Sequence, residues 1–261
     1  MRPLRSTVPA AVALTALLAG GASWAAAQTA PSGTAIASPS SAGAAAHLLI
    51  SASGSTINLG TALPKGVTIE VARGYGVNLA AASRCSATQA KGNACPASSR
   101  VATGSITGTA SALGLSEPID ATLDAYLTAP TGGSEADVIV TAQAFGVTLS
   151  ARGEVLALSG PTYGTELKFD PLPSVTLPLG AVFKLREVSL NIGARGTERV
   201  SRCVRHAHGR CTRHQTGTQS VSLLTNPKTC TSAGWPGLLQ VRSASGTQSL
   251  TASIACTNAA H

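Results

Sequence analysis

The densest grouping of chemically capable side chains lies between residues 203 and 214, where Cys203, His206, His208, Cys211 and His214 are interleaved with Arg205, Arg210 and Arg213. Thiolate and imidazole ligands at gaps of this size suit zinc or copper, so Cys203, His206, His208 and Cys211 form one candidate metal set. In an oxidising compartment the same two cysteines would join as a disulfide, and no sulfur ligand would remain. The five arginines between Arg199 and Arg213 also repel a divalent cation. A disulfide-closed hairpin tip is therefore the expected form, with the metal set as its alternative.

Taken with its approach, the run carries Arg195, Arg199, Arg202, Arg205, Arg210 and Arg213 against the single carboxylate of Glu198. Guanidinium groups pair bidentately with phosphate or carboxylate, so these arginines, with His206, His208 and His214, form the expected site for an anionic partner such as a surface polymer. The competing reading is a solvated charged face that keeps a hairpin soluble. Nucleic acid is the weaker partner, because single strands are gripped by aromatic stacking and this run has no aromatic residue. Trp235, between Cys230 and Cys256, is expected to anchor packing over a disulfide.

An enzyme would need a nucleophile beside a base, or paired carboxylates in a cleft. The sequence contains no Gly-x-Ser-x-Gly elbow, no His-Glu-x-x-His pair and no phosphate-binding glycine loop. Asp120, Asp124 and Glu154 fall in alternating runs that place them on a solvent face, and His47 is isolated. No catalytic residue and no cofactor is expected. An exported hydrolase with a site assembled from distant residues is the alternative.

The compartment follows from the N-terminus. Arg2 and Arg5 precede an apolar run over residues 8–18 and the small residues Ala25, Ala26 and Ala27, which is the pattern of a secretory signal peptide over residues 1–27. Elsewhere no apolar stretch reaches the length of a membrane span. An extracellular or envelope-associated protein that does not span the membrane is expected. Removing 27 of the 261 residues leaves 234 and takes the formal charge from +8 to +6, a balance that favours anionic partners.

The elements that must position these residues are strands. A composition of 44% hydrophobic and 11% charged residues is too apolar for a solvated coil, and Val, Ile and Thr recur in short alternating runs. Alternation is clear over residues 119–127 and 184–192. The spacing predicts an all-β, antiparallel two-sheet sandwich, immunoglobulin-like or jelly-roll-like, over residues 46–257 as a single domain. Residues 28–45, poor in large apolar side chains, read as a disordered linker, and residues 258–261 as a tail. The prolines between residues 170 and 178 mark an edge or crossover. Six cysteines admit 15 pairings; the short-range couples Cys85 with Cys95, Cys203 with Cys211 and Cys230 with Cys256 are the expected disulfides.

Two stretches carry a resemblance. Leu63-Pro64-Lys65-Gly66, then Cys85, then Cys95-Pro96-Ala97-Ser98-Ser99-Arg100, with Asn226-Pro227 ahead of Cys230 and Cys256, resemble a pattern in exported proteins of high-GC actinobacteria. The resemblance implies a secreted β-sandwich and an extracytoplasmic location. That group has no known activity to carry over.

Overall fold

A computed structural model describes residues 32–58, 64–144, 147–172, 182–207, 209–243 and 246–258, which fall in one compact unit. The expected signal peptide, residues 28–31, most of the proline-rich stretch and the last three residues lie outside the described residues. In chain order the strands are β1 (Ser32–Ser38), β2 (Ala45–Asn58), β3 (Gly66–Ala72), β4 (Gly76–Val77), β5 (Arg100–Ala112), β6 (Leu115–Thr128), β7 (Ala136–Ala144) and β8 (Val147–Ala157). They continue as β9 (Tyr163–Phe169), β10 (Val182–Ile192), β11 (Arg195–Ala207), β12 (Arg210–Ser222), β13 (Leu224–Thr225), β14 (Trp235–Ser243) and β15 (Gly246–Ile254). A short α-helix, Ala87–Lys91, opens on a capping box in which Ser86 and Gln89 bond each other's backbone.

Every ladder between these strands is antiparallel. One large sheet runs β15-β14-β3-β9-β8-β7-β6-β5-β10-β2-β13-β4, with β1 added to β2, and its middle is the meander β5 to β9. The cause is visible in β6, where Ala121, Leu123, Ala125 and Leu127 are buried while Asp120 and Thr122, on either side of Ala121, are exposed. The sheet folds over on itself without closing, so that two layers share one core. β1 lies beside β15, where a Cβ on Gly33 would stand 3.7 Å from that of Leu250. Between the layers, Leu48, Ile50, Ile69, Val71, Leu250 and Ile254 line a cavity of about 30 Å³, room for about one water.

The linker reading fails over its described part. Ser32–Ser38 pairs with β2 through seven successive positions, and Ala37 and Ala42 are buried. Small residues suffice there because the neighbouring strand, not the segment's own hydrophobicity, supplies the apolar contact and the hydrogen bonds. Asn226 ties the following turn down, donating from Nδ2 to the carbonyls of Pro39 at 2.8 Å and Ser41 at 2.9 Å.

Three disulfides join Cys85 to Cys95, Cys203 to Cys211 and Cys230 to Cys256. The first lies near the base of β5, and the third brackets Trp235. That ring is buried, meets Tyr75 edge-on at 5.7 Å and donates from Nε1 to the Thr229 carbonyl at 2.8 Å. Its role is packing. Burial also pushes the Tyr75 phenol up in pKa.

Candidate functional site: the arginine hairpin

β11 and β12 leave the large sheet and pair only with each other. The sequence suggests a disulfide-closed hairpin tip; in the structure that tip ends a two-stranded ribbon of 13 residues a side, roughly 40 Å long. Its root is fixed. The Leu223 amide donates to the Ala194 carbonyl at 2.8 Å, Val221 and Ala194 pack on the core, and Gly196 sits so tightly on Ala81 that a Cβ there would meet backbone. Past the root the ribbon is almost wholly exposed, and Gly209, with φ +74°, makes the turn at its tip.

Pairing register sorts the charges by face. From Arg195 opposite Ser222 to Cys203 opposite His214 the ladder is regular, so Arg195, Arg199 and Cys203 share one face with His214. Arg202 stands on the other face, opposite Gln215, with Glu198 and Gln219. Arg202 Nη2 donates to Gln219 Oε1 at 3.4 Å, and Ser201 Oγ lies 3.3 Å from His214 Nδ1. Nearer the tip Arg205 is directly opposite Arg213, and Arg210 is opposite Ala207. Arg213, two residues before Gln215, lies on the face of Arg202.

None of these arginines is in an ion pair among the described residues; the ion pairs found there are Arg100 with Asp124, Arg152 with Asp137 and Arg242 with Asp170. Six guanidinium groups and one carboxylate on a narrow solvated ribbon therefore present a strongly positive field, and apart from the Arg202 bond to Gln219 no side-chain acceptor engages its guanidinium donors among the described residues.

The alternative metal set is corrected. Cys203 and Cys211 are oxidised to each other, so the set has no thiolate to offer. The backbone of His206 is opposite Cys211, while its side chain and the whole of His208 lie outside the described residues. Among the described residues no three His, Cys, Asp or Glu side chains gather as a metal site requires.

The chain matches no protein-family model, and neither the curated proteins nor the solved structures give a match.

Elsewhere the structure brings together groups that the sequence keeps apart. Glu70 on β3 is directly opposite Glu166 on β9, and its carboxyl is raised above the usual range by burial first and the Glu166 charge second. Glu70 alternates with the core-facing Ile69 and Val71, so this pair stands on the outer face of the sheet and not in a cleft. Only the register of β3 on β9 could have revealed it. Asp137 is fully buried and accepts from the Thr131 and Ser134 hydroxyls at 2.6 Å each and from Arg152 Nε at 2.8 Å. The constellation ties down the turn between β6 and β7. Asp120 and Glu154 are exposed, and Asp124 is held by Arg100 at 3.3 Å.

Proposed function

We propose that this is an exported, non-catalytic binding protein that attaches to an anionic polymer of the cell surface through the β11–β12 hairpin. The observation that carries the reading is a rigidly rooted, solvent-projecting ribbon whose arginines have no intramolecular acid partner among the described residues. A stable fold has no need of such a ribbon, since it adds self-repulsion and little buried area. Three disulfides with no free cysteine among the described residues favour an oxidising compartment. Among the described residues no helix is long and apolar enough to cross a membrane.

The test is co-sedimentation of the purified protein with isolated envelopes. Replacing Arg202, Arg205, Arg210 and Arg213 together by Gln should abolish most of the retention and leave the thermal unfolding of the large sheet unchanged. Retention equal to that of the unaltered protein would remove the hairpin from the function.

A further inference from the structure

We infer that the disulfide and two compensating bulges at the hairpin tip build a clamp for one phosphoryl oxyanion between Arg205 and Arg213. The inference rests on the proposed polyanion binding and names the chemistry of its tightest point.

The ladder of β11 and β12 is regular up to Cys203 opposite His214 and regains the same register at His206 opposite Cys211. Between those pairs Val204 drops out of one strand and Thr212 out of the other, and Arg205 comes opposite Arg213. An unbroken ladder would set Val204 opposite Arg213 and Arg205 opposite Thr212. The two arginines would then point to opposite faces, because adjacent pairs in a ladder alternate sides. The bulges thus move Arg205 onto the side of Arg213 and Arg202, as bulges elsewhere re-aim single side chains.

This arrangement is unfavourable for the hairpin alone. Two ladder positions are lost, Val204 is left 50% exposed, and two like charges are placed opposite each other. The disulfide explains what holds it. In a regular antiparallel ladder Cys203 and Cys211 would be offset by three residues, with Cα atoms roughly 11 Å apart. Bridging requires less than about 7 Å, and the observed separation is 5.7 Å. The bond can close only if both strands buckle between the cysteines, and that buckle carries Arg205. The Thr212 hydroxyl holds the displaced backbone, donating to the Arg205 carbonyl at 3.2 Å.

Two facing guanidinium forks select the ligand. The non-bridging oxygens of a phosphoryl group diverge tetrahedrally and can meet both forks at once, whereas the two coplanar oxygens of a carboxylate match one fork side by side. A phosphate-bearing polymer is therefore preferred to a polycarboxylate, with Arg202 beside the clamp to engage a neighbouring group.

The experiment titrates the purified, oxidised protein with inorganic polyphosphate and with poly-L-glutamate at one ionic strength. Wild type should favour polyphosphate. R205K/R213K keeps the charge but removes the forks, and should weaken polyphosphate binding about tenfold or more. R84K/R186K, at exposed positions outside the hairpin, should stay within about twofold of wild type. C203S/C211S changes no charge, yet should weaken binding as much as R205K/R213K. Equal binding by wild type, R205K/R213K and C203S/C211S would overturn the clamp and leave attachment by diffuse charge standing. Wild type that binds neither polymer would overturn the polyanion reading itself.

Discussion

Asp137 and Arg152 meet across β7 and β8 with the carboxylate sealed from solvent and the guanidinium at the surface. Burial alone would raise the carboxyl, but hydrogen bonds from Ser134, Thr131 and Arg152, together with the Arg152 charge, outweigh it and hold the pKa below the usual range. A pKa lower in the folded than in the unfolded state stabilises the fold above the unfolded value of about 3.9, and the contribution is lost as pH falls through the folded value. Replacing Asp137 by Ala should lower the unfolding free energy by roughly 2–3 kcal/mol at neutral pH, the exposure of Arg152 moderating the loss. Urea titration checks this, and the variant's stability should also fall less steeply than wild type below about pH 4.

Glu70 opposite Glu166 works in the other direction. Its pKa is raised in the fold by burial first and the Glu166 charge second, so both penalties are present above that pKa and disappear when the carboxyl is protonated. E70Q should stabilise the protein by about 0.5 kcal/mol at neutral pH, and the gain should vanish in acid. Parallel denaturation curves at the two pH values would read both effects.

The Phe169 ring lies over Gly153 on the neighbouring strand, and a Cβ at that position would come within 2.5–2.8 Å of its atoms. G153A must displace a buried ring in the core and should cost about 1–3 kcal/mol. A melting temperature equal to wild type would show that the ring is free to move.

The disulfides should divide by location. Cys230 and Cys256 span 26 residues and pack against the core, so their replacement by Ser should cost about 3 kcal/mol of global stability. Cys203 and Cys211 span 8 residues at the end of an exposed ribbon that can fray without opening the sheet. Their replacement should cost less than about 1 kcal/mol, as measured by thermal unfolding.

The strands of the core were legible wherever one face is dry, because burial imposes the period-2 pattern of segments such as β6. β1 was not, since six small residues and Ile36 acquire order from β2 and carry little pattern of their own. The hairpin tip was legible from its two cysteines, but the length of its strands was hidden for the opposite reason: both faces are wet and polar, so no alternation marks their extent. The positive charge of the hairpin and the pairing of its two cysteines could be read because charge and sulfur are properties of residue type. The opposition of Arg205 to Arg213, the burial of Asp137 beneath Arg152 and the pairing of Glu70 with Glu166 depend on register and tertiary packing, which composition and local spacing do not encode.

In the proposed function the ribbon holds the protein to a surface polyanion by charge. The direct measurement is the apparent affinity for isolated envelopes as ionic strength is raised, for wild type and for the variant with Arg202, Arg205, Arg210 and Arg213 changed to Gln. Wild-type affinity should fall steeply with salt while the variant binds weakly with a much shallower slope. Parallel slopes and equal affinities for the two proteins would contradict it.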